Sequence, residues 1–199
     1  LDADVVLAYA TSAVRESAKE DEITGFGCQA IAYLLGLFGI IRFYGPETSI
    51  REFVAMRRTS WVFYPIAILL GLSATFAADA LLTAILHRFP IPGDDSLSSA
   101  FTGISRPKQV LIALEVVFAG PLIEEVVFRG AIFGPLKKTY PRHLVIIVTA
   151  VLFALVHIVW QRFLPLMLLA VCLGYLRSWS GSMLPTFLFH AAFNSLAVA

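Results

Sequence analysis

Charged side chains are scarce in this chain of 199 residues, of which Asp, Glu, Lys and Arg make up only 15%. A soluble domain usually carries roughly 25%. The net charge is +1, and no face rich in lysine and arginine is visible of the kind that binds nucleic acid. Only two cysteines are present, Cys28 and Cys172, and both lie in apolar segments where a thiol behaves as a small hydrophobe. We therefore set nucleic acid aside as a partner, and the cysteines indicate no chemistry.

Hydrophobic residues, in contrast, make up 58% of the chain and occur in runs long enough to cross a bilayer. Lipid admits only helices or closed barrels, and such runs are too long for barrel strands. The predicted fold is an all-α, polytopic transmembrane bundle of about six spans, with a polar site inside the bundle and membrane lipid around it. We expect a multi-pass protein of the cell membrane. The predicted spans are residues 27–44, residues 61–86, a third span that starts near residue 109, residues 144–160, residues 165–176 (short enough to be tilted or re-entrant) and residues 184–198.

The chain is predicted to form a single membrane domain over residues 1–199, because it shows no internal repeat and no soluble insertion. Residues 1–24 form a polar N-terminal segment, and residues 107–199 carry the motifs described below. Basic residues are slightly more numerous on the side of the loop at Lys137, eight against six, so the positive-inside rule places that loop in the cytoplasm.

The third predicted span contains three charged residues close together, Glu124, Glu125 and Arg129. A charged side chain at membrane depth costs several kcal/mol unless it is paired or hydrated, so such a group indicates a functional site. Glu125 and Arg129 are four residues apart and share a helix face, so they can neutralise each other. Glu124 lies about 100° round the helix and is matched less well by that arginine. We therefore expect one carboxylate to be held and its neighbour to be free for chemistry.

Two further pairs lie in later spans, Phe153 with His157 and His190 with Asn194, and the members of each pair are four residues apart. Two histidines and an asparagine inside apolar spans, together with the acids, favour a functional site over a structural role. Phe153 is expected to pack around this site.

Glu124 and His157 can act together only if they lie at a similar depth in the membrane. A helix rises about 1.5 Å per residue, so Glu124 lies deep enough to meet His157 only if the third helix continues past Arg129. We therefore predict one long helix from about Pro107 to Leu136.

Taken in order, the motifs Glu-Glu-x-x-x-Arg (124–129), Phe-x-x-x-His (153–157) and His-x-x-x-Asn (190–194) resemble those of the CAAX protease and bacteriocin-processing (CPBP) family of intramembrane proteases. This family is related to the CAAX prenyl endopeptidases. The resemblance covers residues 107–199 and makes them the catalytic core. It implies an intramembrane endopeptidase that hydrolyses a peptide bond of a membrane-associated, lipidated or prenylated protein or peptide.

Carried over residue by residue, the resemblance implies that Glu124 activates the attacking water. It implies that His157 helps to hold this water and relays its proton, and that His190 with Asn194 stabilises the oxyanion. Such donors and a base are what hydrolysis of an amide requires. The ion pair next to Glu124 would support it from the surrounding structure.

The requirement for a metal is left open by the sequence. Glu124, His157 and His190 with a water would be an acceptable set of ligands for Zn2+. The chain has no His-Glu-x-x-His motif, however, and Arg129 beside the site would oppose a divalent cation. The family is often labelled metalloprotease, while a metal-free glutamate mechanism has also been proposed for it. We assume no cofactor, with a zinc metallo-endopeptidase as the alternative to a glutamate-type enzyme.

Two other functions fit the same residues. Acids and histidines inside helices also serve transporters and proton relays, although transporters usually show internal repeats, which this chain lacks. A catalytically silent membrane scaffold or immunity protein is the other alternative, and the intact motifs argue against it.

Overall fold

The structure of this protein is a computed structural model. It describes residues 54–91 and 103–198, together with residues 28, 31, 32, 34–36, 38, 39, 42, 43, 49, 51 and 101. All regular secondary structure in these ranges is helical, as the sequence predicts. The predicted polar segment 1–24 lies outside the described residues, and the predicted first span, 27–44, lies only partly within them.

Two helical stretches in the described part are long and apolar enough to cross a membrane. Helix α1, Phe63–Arg88, has 26 residues and matches the second predicted span. The second stretch is Trp160–Ser180, with 21 residues. A third apolar helix, Arg142–Leu155, has only 14 residues. The count of about six spans therefore stays a prediction.

The chain is helical without a break from Arg106 to Thr139, and we call this stretch the motif helix. The prediction that it continues past Arg129 is confirmed. Its α-helical register is interrupted twice, however, by π-helical segments that the sequence analysis did not predict. The five parts are α2 (Arg106–Leu114), π1 (Glu115–Ala119), α3 (Gly120–Glu125), π2 (Val126–Ile132) and α4 (Phe133–Thr139). Such π segments occur frequently at functional sites.

Three helices follow the motif helix, and two of them differ from the predicted spans. Helix α5, Arg142–Leu155, ends earlier than predicted, so His157 lies in the turn after it and not on the helix. After a short 3-10 turn at Trp160–Arg162, helix α6 runs over Phe163–Ser180. The predicted length of the fifth span, 165–176, is thus wrong, because α6 has 18 residues. The last helix, α7, is Leu184–Ser195.

Helix α6 ends at a glycine and not at its arginine. Gly181 adopts φ +67°, the left-handed conformation that commonly terminates helices. Arg177, which the sequence analysis places in a loop, therefore lies in the last turn of the helix and is buried.

The core is built around α6, which packs against α1, α5 and α7. Its buried residues come from five elements, and they are Ala67, Phe128, Ala150, Phe153, Leu169, Ala170, Leu173, Leu176 and Phe189. Two glycines allow close approach of the helices. A Cβ at Gly174 would lie 2.9 Å from Ile146 of α5, and a Cβ at Gly71 of α1 would collide with the carbonyl oxygen of Phe189 in α7.

Large apolar side chains cover the outside of this core. On α1, for example, Leu69 and Phe76 are 64% and 71% exposed. Soluble monomers rarely expose apolar patches of this extent, and such patches mark membrane or protein contact. The exposed faces are therefore those that we expect to meet lipid.

Candidate active site

The two members of the predicted ion pair meet inside the bundle. Arg129 Nη1 lies 3.1 Å from Glu125 Oε1, and both side chains are buried. The guanidinium also donates from Nη2 to the carbonyl oxygen of Ala170 in α6, at 3.2 Å, and stacks over the ring of Phe153 at 4.9 Å. The predicted pairing is confirmed, and Arg129 additionally ties the motif helix to α5 and α6.

His190 lies between the two glutamates. Its Nδ1 is 3.1 Å from Glu125 Oε1, and its Nε2 is 3.7 Å from Glu124 Oε2. Glu125 as an ionised partner of Arg129 can only accept, so Nδ1 of His190 carries a hydrogen, and Nε2 is an acceptor when the ring carries no second hydrogen. His190 is buried, whereas the Glu124 side chain is 28% exposed. Of the two carboxylates, Glu125 is held on two sides and Glu124 is the accessible one.

One carboxylate oxygen of Glu125 lacks a hydrogen-bond donor among the described residues. Its Oε2 and the Nε of Arg129 are buried without a hydrogen-bond partner in the described part of the chain. Thr186 of α7 is fully buried and close enough to interact with this carboxylate, although its hydroxyl donates to the carbonyl oxygen of Met183 at 2.7 Å. Rotation of this hydroxyl would supply the missing donor.

Phe153 contacts both His157 and His190 and so connects His157 to the site. Because a carbonyl oxygen only accepts, the 2.7 Å contact of His157 Nδ1 with the Phe153 carbonyl places a hydrogen on Nδ1 and leaves Nε2 of the neutral ring as an acceptor. The Phe153 ring lies 4.8 Å from the His157 ring and 5.8 Å from the His190 ring. Phe153 is fully buried, so its predicted packing role is confirmed. Among the described residues, no hydrogen bond joins His157 directly to Glu124 or His190.

A strained turn follows His157. Ile158 has φ +65°, and the N–H of Val159 donates to the carbonyl oxygen of His157 at 2.6 Å. This is the rare, strained form of the three-residue turn, and a β-branched residue is a clear outlier there. Backbone strain of this kind persists where the surrounding structure imposes it, often at functional sites. The turn reverses the chain immediately after the histidine.

Asn194 makes a contact that the sequence analysis did not predict. Its Nδ2 donates to the carbonyl oxygen of Val116, in segment π1, at 2.8 Å. One amide hydrogen is thereby committed to the motif helix, and the second remains available.

The described residues do not form a metal-binding group. No three His, Cys, Asp or Glu side chains in the described part of the chain are grouped closely enough to hold a metal ion. The zinc set considered from the sequence, Glu124, His157 and His190, is therefore not assembled in this structure. This geometry does not test whether a metal is required, so the assumption of no cofactor, with zinc as the alternative, stays a prediction.

Arg177 is a site residue that the sequence analysis missed. It is 7% exposed, and its Nε donates to the backbone carbonyl oxygen of Arg129 at 3.1 Å. A basic residue inside an apolar span is itself a signal. The signal was lost because the predicted fifth span ended one residue before it.

Comparison with known proteins adds a family. Residues 106–196 match the family model of the Rce1-like type II CAAX prenyl endopeptidases. No curated protein and no solved structure matches the chain. The matched range contains the motif helix, His157, His190 and Asn194. The resemblance that the three motifs indicate is thus confirmed for residues 106–196, whose match to the Rce1-like model is consistent with the CAAX protease family.

Proposed function

We propose that this protein is an intramembrane endopeptidase that hydrolyses a peptide bond of a membrane-associated or lipidated protein or peptide with a water activated by Glu124. One observation carries the proposal: His190 lies between an accessible carboxylate, Glu124, and a buried one, Glu125, that is paired with Arg129. The family of the C-terminal domain supports peptide-bond hydrolysis as the reaction.

The proposed steps assign a role to Glu124, His190 and Glu125. Glu124 takes a proton from water while the water oxygen attacks the scissile carbonyl carbon. The proton passes from Glu124 to Nε2 of His190, whose ring is held by Glu125 at the other nitrogen. The same hydrogen then moves to the leaving amine as the carbon–nitrogen bond breaks. Glu124 and His190 are thereby returned to their starting states, the proton leaves with the amine product, and the hydroxyl of the water becomes part of the new carboxyl group.

The oxyanion needs donors in addition. The second amide hydrogen of Asn194 is one donor, and Nε2–H of His190 is a second one once it has received the proton. Before that transfer the neutral ring has no hydrogen at Nε2, so in this proposal His190 is a relay first and an oxyanion donor second. His157, with Nε2 free to accept, holds the attacking water.

Cleavage by the purified protein in liposomes tests the proposal. We would present a farnesylated peptide, the same peptide without the lipid, and an unmodified transmembrane peptide, and we would map the products by mass spectrometry. We expect cleavage of at least one of them by wild type and none by Glu124→Gln, which keeps the shape of the side chain and loses the base. Retained cleavage by a correctly folded Glu124→Gln variant would contradict the role of Glu124.

The peptide panel also separates the alternatives. Cleavage of the farnesylated peptide alone identifies a lipidated substrate, whereas cleavage of the transmembrane peptide identifies a membrane-embedded segment. A folded wild-type protein that cleaves none of a broad panel would overturn the proposal in favour of a silent scaffold or immunity protein.

A further inference from the structure

Two carbonyl groups of the motif helix receive a hydrogen bond from a side chain of another helix. Asn194 donates to Val116 at 2.8 Å, and Arg177 Nε donates to Arg129 at 3.1 Å. Val116 belongs to π1 and Arg129 to π2, so each π segment is bound once from outside the helix.

In π1 the missing backbone donor can be identified. The N–H of Gly120 bonds to the carbonyl oxygen of Glu115, five residues back, which is the π register. The next donor in this register would be residue 121, which is a proline and has no N–H. The carbonyl of Val116 therefore lacks its backbone partner, and the amide of Asn194 replaces it.

In π2 the shifted register leaves the Arg129 carbonyl without the N–H of Phe133. The N–H of Phe133 bonds to the carbonyl oxygens of Phe128 and Gly130, and not to that of Arg129, its partner in a regular α-helix. Arg177 donates to this carbonyl from outside the motif helix. Buried carbonyl groups are almost always paired, so this contact is part of what makes the shifted register acceptable.

The register of π2 decides where the Arg129 side chain points. A shift of one residue turns the following side chains by about 100°. A change of register would turn the Arg129 side chain relative to α5 and α6, away from the Phe153 ring and the Ala170 carbonyl that hold its guanidinium beside Glu125. Because Glu125 in turn holds His190, the position of the histidine depends on this register.

We propose that Arg177 is a positioning residue, whose Nε donor holds the π-helical register of residues 126–132 and thereby keeps Arg129 on Glu125 and Glu125 on His190. The contacts of Arg177, Arg129 and Glu125 support the role of Arg177 in this register. The kinetic part of the proposal rests on the proposed peptidase function.

Three variants separate the donor of Arg177 from its charge. Arg177→Gln places an amide N–H2 at the same number of bonds from Cα as Nε and removes the charge. Arg177→Lys keeps the charge but moves the donor one bond further out, and Arg177→Met removes both. Hydrogen–deuterium exchange of the amides of residues 126–136 reports the register without any assay of activity.

We expect Arg177→Gln to keep wild-type exchange and Arg177→Met to exchange faster in this segment. In the cleavage assay, Arg177→Met should lose about tenfold or more in kcat with KM changed less than about threefold, since a misplaced catalytic group costs turnover. Arg177→Gln should restore most of the loss. Loss of folded protein alone would also lower apparent kcat at unchanged KM, so kcat is expressed per folded protein.

The proposal would be overturned if Arg177→Lys behaved like wild type while Arg177→Gln did not, because the charge would then be the essential property. Unchanged exchange in Arg177→Met would overturn it as well. If Arg177→Met does not fold, the contrast between the Gln and Lys variants decides. If wild type cleaves nothing, the peptidase proposal fails, and the exchange measurement still decides whether Arg177 holds the register.

Discussion

Glu125 is fully buried, whereas the adjacent Glu124 keeps 28% of its side chain exposed. This difference follows from the helix, which turns neighbouring side chains by about 100°, and from the partners that each then meets. Glu125 faces Arg129 and the Nδ1 side of His190, and Glu124 lies 3.7 Å from Nε2 of the same ring. A substitution of Glu125 therefore tests the buried ion pair, whereas a substitution of Glu124 tests the accessible carboxylate.

The buried pair makes a stability prediction. Arg129→Ala would leave Glu125 as a buried acid without its cation, which typically costs about 3 to 5 kcal/mol. We expect a lower folded yield and a lower Tm in detergent. Arg58→Ala, which removes an exposed arginine, is the matched control and should leave both unchanged. Equal thermal stability of Arg129→Ala and wild type would contradict a structural role for the pair.

Asn194 makes a prediction on turnover. Its loss removes a proposed oxyanion donor, for which about 100- to 1000-fold in rate is typical. We expect Asn194→Ala to bind substrate nearly as well as wild type and to turn it over far more slowly, measured as kcat and KM on the cleaved peptide. The adjacent Ser195→Ala removes only a hydroxyl that donates to the Ala192 carbonyl, and it should behave like wild type. A kcat of Asn194→Ala within a few-fold of wild type would refute this role.

Chelation and metal analysis of the purified protein test whether its activity requires a metal. Because no step of the proposed mechanism passes through a metal, prolonged chelation of the purified protein should leave its activity in place. Metal analysis should find less than one metal ion per chain. Stoichiometric zinc whose removal abolishes cleavage, and whose return restores it, would reassign Glu124, His157 and His190 as ligands.

At the scale of the helices, packing depends on positions where no side chain fits. Helix α1 approaches α7 so closely that a Cβ at Gly71 would collide with the backbone carbonyl oxygen of Phe189, one residue before His190. A backbone atom cannot move aside as a flexible side chain can. The contact between α1 and α7 is therefore part of what places the histidine.

Gly71→Ala should consequently destabilise the protein by about 1 to 3 kcal/mol, the usual cost of overpacking a core. Gly134→Ala is the matched control, because a Cβ there meets no atom within 4 Å and glycine is a poor helix former. We expect a lower Tm for Gly71→Ala and an equal or higher Tm for Gly134→Ala. The same Tm for both variants would show that α1 and α7 separate at no cost.

At the scale of the whole molecule, the distribution of basic residues predicts orientation. The side with eight basic residues carries Arg42, Arg51, Arg57, Arg58, Lys137, Lys138, Arg142 and Arg177. The structure buries Arg177 inside α6, which leaves seven against six. Lys137 lies near Arg142 and Arg177, and partial burial, followed by the repulsion of these two cations, lowers its pKa.

We expect the loop that follows Lys137 to face the cytoplasm. A single cysteine introduced at Lys138, in a chain whose Cys28 and Cys172 have been replaced, should then be protected from an impermeant thiol reagent added to intact cells and should react after permeabilisation. The same reagent on a cysteine introduced at Arg106, on the opposite side, gives the reverse control. Ready reaction at Lys138 in intact cells would reverse the orientation.

Several features of this protein were determined by its sequence alone. The apolar runs require helices, and the spacing of Glu125 and Arg129 requires that they meet on one face, since both depend on local geometry. The continuity of the motif helix past Arg129 and the packing role of Phe153 also followed from the sequence. The ordered motifs were enough to indicate the family that the comparison confirms.

Only the tertiary structure decided which partners the carboxylates have. The place of His190 between Glu124 and Glu125 depends on the packing of α7 against the motif helix, and no local pattern encodes that distance. The π segments were likewise beyond the sequence, because their carbonyls accept hydrogen bonds from Asn194 and Arg177, which lie on other helices. Such contacts join residues far apart in the chain, so they exist only once the helices have assembled.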